Sequence, residues 1–145
     1  MPDIDPAAGW SRPPSPTDAE LVRNLLQAYT VFTDAGQTDK LAELFTADAT
    51  WDGTSLGYGS ATGPVPIAEL VTSRFDPQRL MFHFMGPGLL EARTEDEVHA
   101  WGWCIGGRQE SGALIYFDYY DVLRRGPGGW RFAQRHLRKR RRDAT

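Results

Sequence analysis

The chain has a single cysteine, Cys104, and that scarcity removes two classes of protein at once. No disulfide framework can form within the chain, and no cysteine-built zinc site can be assembled. No segment approaches the ~20 consecutive apolar residues that a membrane-spanning helix requires. The first sixteen residues have no basic start followed by an apolar stretch, so a secretory leader is not expected. Although there are 15 glycines, they are spread without the spacing of a phosphate-binding loop, which argues against a nucleotide site. These absences lead us to expect a soluble, cytoplasmic protein. With 145 residues, 41% of them hydrophobic, one domain around one core is expected, needing neither crosslink nor partner to fold.

Positive charge is also scarce until the end of the chain. Net charge is −3, but Arg135, Arg138, Lys139, Arg140, Arg141 and Arg142 crowd the C-terminus and leave residues 1–134 at −8. A basic run invites a nucleic-acid or acidic-membrane reading. Here the body is acidic and no aromatic residues are interleaved with the charges to make a stacking platform, so neither nucleic acid nor membrane is expected as a partner. Residues 139–145 are expected to form a solvated basic tail.

What is present divides the chain into an arm and a domain. Residues 1–16 carry Pro2, Pro6, Pro13, Pro14 and Pro16 with little apolar content, the composition of a flexible arm. The domain is expected over residues 17–138. Thr17 and Glu20 make a capping box, and Leu21, Leu25, Ala28, Tyr29 and Phe32 recur at helical spacing, predicting a helix over 18–34 that stops at Gly36. Thr38 is placed to cap a second short helix whose buried side is Leu41, Leu44 and Phe45. Residues 49–54 read as a strand and 55–63 as a glycine-rich loop carrying Tyr58. A third helix is predicted from Pro64 to Phe75, with Ile67, Leu70, Val71 and Phe75 turned inward. Strands are then expected over 79–91, 98–108, 112–124 and 129–137, joined by turns at 93–96 and 125–128.

Helices followed by a strand meander give an α+β class. Both alternation sets of residues 114–123 are rich in large side chains, Ile115, Phe117 and Tyr119 against Leu114, Tyr116 and Tyr120. A sheet with two apolar faces needs cover on both, and helices on one side with a second copy on the other would supply it, so a homodimer is expected.

Chemistry centres on Leu80-Met-Phe-His-Phe-Met-Gly86. Period-two alternation puts Met81, His83 and Met85 on one face. Neutral imidazole accepts or donates a proton near pH 7, and apolar walls strengthen any nearby charge. A histidine so placed also serves as a core residue satisfied by a carbonyl, and the stretch by itself leaves both readings open. Pairing Ala92 with Glu97 across the polar turn puts Gly106 opposite His83, with Cys104 and Arg108 as same-face neighbours and His99 on the other parity.

The order of elements resembles the SnoaL-like branch of the NTF2-like superfamily, which includes polyketide cyclases, scytalone dehydratase and bile-acid dehydratase. The residues that carry the likeness are Tyr29 and Asp34, the run Lys40 to Trp51, His83, Tyr119 to Arg125, and Trp130 to Arg135. The resemblance implies a cone-shaped half-barrel, a curved, mostly antiparallel sheet around a deep pocket closed by the N-terminal helices. It further implies that Tyr29, Asp34 and His83 meet in that pocket, with His83 as base, Asp34 fixing its tautomer and Tyr29 donating to a substrate oxygen. Those enzymes commonly carry a second histidine or an aspartate on the next strand, where this chain has Gly106. Trp51, Tyr58, Met81, Met85, Trp103, Tyr116 and Tyr119 offer flat or soft apolar surface for a ligand, Arg135 a grip for a carboxylate or carbonyl, and Asp52 a reserve acid. The expected function is that of a lyase or an isomerase or cyclase, a dehydratase first, using no cofactor or metal and acting on a small hydrophobic cyclic or polyketide- or steroid-like compound. The alternative is a catalytically silent protein that binds such a compound.

Overall fold

The computed structural model describes residues 14–74, 81–86 and 88–140. The expectations for the arm over residues 1–13, for Arg79, Leu80 and Phe75, and for Arg141 and Arg142 lie outside the described residues. The elements in order are α1 (Pro16–Asp34), α2 (Thr38–Ala42), β1 (Phe45–Asp52), a short 3-10 turn (Thr54–Leu56), β2 (Ser60–Thr62), α3 (Pro64–Arg74), β3 (Met81–Met85), β4 (Leu89–Thr94), β5 (Glu97–Arg108), β6 (Leu114–Gly126) and β7 (Gly129–Lys139).

Helix α1 is capped by Ser15, whose hydroxyl accepts the Asp18 N–H at 3.2 Å, and not by Thr17. The cap shifts because Pro16 has no N–H to satisfy and its fixed φ suits the first helical position. At the other end the helix closes as expected: Ala35 donates back to the Val31 carbonyl and Gly36, at φ 64°, to that of Thr33. Phe45, expected on the second helix, instead opens β1, and the predicted loop at 55–63 contains the three-residue strand β2.

The predicted strand over 79–91 is two strands, both paired with the long β5. The break falls at residues 86–88, where large rings occupy the space of side chains. A Cβ on Gly86 would stand 2.6 Å from the Trp103 ring, and one on Gly88 2.6 Å from the Tyr119 hydroxyl. The sheet order is β2-β1-β7-β6-β5-β3, with β4 also on β5; β1 and β7 are parallel and the other pairs antiparallel.

The sheet is curved and unclosed, and the helices fill its concave side. Val22, Leu26 and Tyr29 of α1 and Ile67 and Val71 of α3 are buried against Trp51 and Phe132 of the sheet. Along β5 and β6 the inward set includes Val98, Ala100, Cys104, Phe117, Tyr119 and Leu123. The outward set is Trp101, Trp103, Ile105, Tyr116, Asp118 and Tyr120. Among the described residues no helix is long and apolar enough to cross a membrane.

Candidate functional site

His83 sits in the middle of β3 directly opposite Gly106, with Met85 opposite Cys104 and Met81 opposite Arg108. β3 ends the main strand order, and the carboxylate of Asp34 caps its outer edge. One carboxylate oxygen accepts the His83 backbone N–H at 3.0 Å, and the other lies 2.5 Å from ring Nδ1. Asp34 can do this because it is the last residue of α1. An ideal helix would turn it ~140° away from Tyr29, and termination at Ala35–Gly36 releases it toward β3.

With the ionised carboxylate accepting at Nδ1, the proton resides there and Nε2 is left as the acceptor. Gly106 faces the ring from the paired strand, where a side chain would press on Ile115 more than on Nε2. A Cβ at that position would stand 3.6 Å from Nε2 and 3.1 Å from Ile115 Cγ2. The imidazole is 6% exposed and meets the Phe117 ring edge-on at 6.4 Å between centroids.

His83 lines one small cavity together with Tyr29, Thr30, Tyr58, Met81, Met85 and Arg135. Cys104, Gly106, Ile115, Phe117 and Leu137 complete its wall. Its volume is about 20 Å³, room on the order of one water molecule. A groove of about 530 Å³ lies elsewhere, between the start of α1 and the β4–β5 hairpin. That groove is open to solvent and lined by Asp18, Arg93, Glu95 and Arg125 but no histidine, whereas the smaller cavity is apolar and holds His83.

Tyr29 accepts a hydrogen bond from Trp51 Nε1 at 3.0 Å. Burial pushes its hydroxyl up to about 12, against the opposing pull of Arg135 and the Trp51 bond, so the group stays protonated. Arg135, on β7, stands between Trp51 of β1 and Asp121 of β6 in the cross-strand row. Its guanidinium lies 4.0 Å from the Tyr29 ring centroid, 4.9 Å from that of Phe132 and 5.1 Å from that of Tyr119. Asp121 is its buried counter-ion, with Nη1 to Oδ2 at 3.6 Å. Burial pushes the Asp121 carboxyl up to about 7, opposed by Arg135. The Cys104 thiol is pushed up to about 12 by burial and remains a thiol.

The expected ligand residues therefore divide. Tyr58, Met81, Met85 and Arg135 line the cavity with Tyr29 and His83. Trp103 and Tyr116 do not: both belong to the outward set, Trp103 against Phe84 and Tyr116 opposite Ile105. Tyr119 points inward but lies beneath the floor, fully buried, with its hydroxyl 3.5 Å from the Gly86 carbonyl. Trp51 is likewise behind the wall and acts on the cavity through Tyr29. Asp52 is not a reserve acid. It bonds the backbone and hydroxyl of Thr54, which hold its carboxyl below the ordinary range, and it faces His136 on the outside. His99 keeps its outward parity and bonds Glu97 at 2.9 Å. Asp121 was not anticipated: counting from Gly126 opposite Gly129 pairs it with Gln134, and only the shift between Val122 and Leu123 sets it beside Arg135. Among the described residues no three His, Cys, Asp or Glu side chains gather where they could hold a metal.

The model of the SnoaL-like domain matches residues 15–136, nearly the whole described chain. The chain belongs to this family. Among solved structures it is similar to an NTF2-like protein with a cystatin-like fold from Novosphingobium aromaticivorans, at 27% identity over 89% of this chain and 84% of that one, with a TM-score of 0.76. It is also similar to hexachlorocyclohexane dehydrochlorinase LinA type 2, at 24% identity over 86% and 89% of the two chains (TM-score 0.66). A protein of unknown function with a cystatin-like fold from Nostoc punctiforme shares 15% identity over 88% and 95% (TM-score 0.77). No curated protein matches the sequence. In this SnoaL-like domain the helices close the concave side of the curved sheet, the side toward which His83 points.

Proposed function

We propose that this SnoaL-like protein is a cofactor-independent acid–base enzyme, a lyase or isomerase with dehydration as its first expected reaction, acting on a small hydrophobic cyclic compound that bears a carbonyl. The observation that carries this reading is the two-point hold of Asp34 on His83 at the wall of an apolar cavity. Nε2 of His83 takes a proton from the carbon beside the carbonyl, and Asp34 stabilises the imidazolium that results. Charge arriving on the carbonyl oxygen is met by the protonated Tyr29 hydroxyl and by Arg135, preorganised donors in a water-poor site. In a dehydration the same proton returns to the departing hydroxyl, so the step balances as loss of water. One solved relative is named a dehydrochlorinase, so the fold accommodates an elimination elsewhere.

The test uses cyclic β-hydroxy ketones, followed by the ultraviolet absorbance of the conjugated enone. His83→Ala is expected to lower the rate by about 10²–10⁴-fold with an unchanged circular-dichroism spectrum. A folded variant that turns over at the wild-type rate ends the assignment. A second reading, a catalytically silent binder, is favoured by Gly106 opposite His83, where no second acid or base stands. Mass spectrometry of the small molecule retained on purification separates the two, since a binder returns that molecule unchanged.

The protein is also read as a homodimer through the outer face of its sheet. Phe82, Phe84, Leu89, Leu114 and Tyr116, all exposed, lie on that face, and Asp118 stands there beside Arg138 and Arg140. An apolar patch with an acid and bases on the same rim complements a rotated copy of itself.

A further inference from the structure

Arg135 and Asp121 are both buried and both poorly served. Arg135 is 2% exposed, yet neither Nε nor Nη1 makes a hydrogen bond, and Nη2 meets only the soft sulfur of Met85 at 3.9 Å. Asp121 is 1% exposed, and neither carboxylate oxygen makes a hydrogen bond. An arginine and a carboxylate brought together for stability usually form a fork of short bonds. A buried pair without them bears the desolvation cost of both charges with little return. What fixes the guanidinium is the clasp of Tyr29, Phe132 and Tyr119 around it. Asp121 holds it only loosely, while its other surroundings are the cavity that it lines with His83, Met81, Met85 and Phe117.

We propose that Arg135 exchanges partners when a ligand enters: a carboxylate or enolate-like oxygen takes the guanidinium from the cavity side, and Asp121 takes up one proton. This rests on the reading of the cavity as a ligand site and adds that the ligand class is anionic, or becomes so during the reaction. Charge is conserved in the exchange. Before it the floor holds one cation and one carboxylate; after it the cation faces the ligand's negative oxygen and Asp121 is neutral, its proton drawn from solvent.

The surroundings of Asp121 permit this. Arg135, on β7, is the charged group that acts on it, and Ala100 is opposite it on β5. The other titratable groups around that floor are Tyr119 on β6, Tyr29 on α1 and Cys104 on β5, all shifted upward by burial and therefore neutral. Arg23 on α1 acts on Tyr119, and the His83–Asp34 pair stands at the cavity wall, which is why Asp121→Asn is needed to assign the proton. Burial already brings Asp121 to about 7, and a second anion competing for Arg135 removes the attraction that keeps it ionised.

Benzoate is the probe, with benzamide as its neutral counterpart. Titration calorimetry of the wild-type chain at pH 8, in two buffers of different ionisation enthalpy, is expected to show uptake of about one proton per benzoate bound, falling toward none at pH 6. Benzoate affinity should fall about tenfold per pH unit above neutrality, and benzamide affinity should stay level. Asp121→Asn should abolish both the uptake and the pH dependence. Should that variant not fold, the wild-type chain still tests the exchange, since benzoate bound at pH 8 without proton uptake overturns it. Benzamide binding without benzoate overturns it and leaves the cavity reading standing. If neither probe binds, the exchange is overturned. If His83→Ala also keeps the wild-type rate, the cavity reading falls with it.

Discussion

His83 depends on one carboxylate for both its position and its tautomer. Asp34 accepts from the backbone of β3 and from ring Nδ1, so the strand and the imidazole are located by the same group. Asp34→Asn keeps the shape and removes the charge. The amide can present its NH₂ to Nδ1, which moves the ring proton to Nε2 and abolishes the base. We expect turnover to fall by about 10²–10⁴-fold, as for His83→Ala, with the thermal midpoint close to wild type. Steady-state rates beside a melting curve check this, and a folded Asp34→Asn enzyme at full rate would sink the dyad. Both residues stand out in the sequence, His83 by its place on a strand and Asp34 by the resemblance to the SnoaL-like family. Asp121 is as buried as any catalytic candidate and was missed, because it lies within the tyrosine-rich run 116–120 and its immediate sequel, where parity separates two faces without saying which is inner.

The pairing of His83 with Gly106 shows how far elements can be read from sequence. Counting from Ala92 opposite Glu97 gives the observed partner, yet the hairpin itself is tighter, with Thr94 opposite Glu97. The turn is two residues tighter than expected, and two one-residue slips in the same direction, between Ala92 and Thr94 and between β4 and β3, together offset it, so His83 still meets Gly106 although the strand was expected to be continuous. Helix α1 and the β6–β7 hairpin were legible because periodicity and turn chemistry are local. The break between β3 and β4 carries a local signal too, the run Gly86-Pro87-Gly88, and the rings of Trp103 and Tyr119 fill the space that side chains at Gly86 and Gly88 would need. Gly102 is the pivot of that packing. A Cβ there would stand 2.3 Å from the Tyr119 hydroxyl, and Tyr119 is fully buried with nowhere to withdraw. Gly102→Ala is therefore expected to destabilise the fold by about 1–3 kcal/mol, measured by urea denaturation. The Tyr119 hydroxyl would also be pushed from the Gly86 carbonyl at the end of β3. A variant as stable as wild type would show that Tyr119 is not held as the structure has it.

Taken as a whole the molecule is lopsided. Helices α1 and α3 cover the concave side of the sheet, and the convex side carries five of the eight large hydrophobic side chains exposed among the described residues. Patches of that kind on a single chain mark an interaction surface. A second copy fits best, because the patch and its charged rim lie on one sheet face and can meet their own image about a two-fold axis. Phe84, 60% exposed and tilted against Trp103, is the projecting member of this patch, and its neighbour on the same face is Tyr116 across Ile105. Phe84→Glu puts two carboxylates near the axis of such a dimer and leaves the cavity untouched, since residue 84 points away from His83. Wild-type protein at tens of micromolar is expected to scatter light as a species of about 32 kDa, twice the 16.2 kDa chain, and Phe84→Glu as a folded monomer. A wild-type mass of one chain, or a Phe84→Glu variant that stays dimeric, would remove the outer face as the interface.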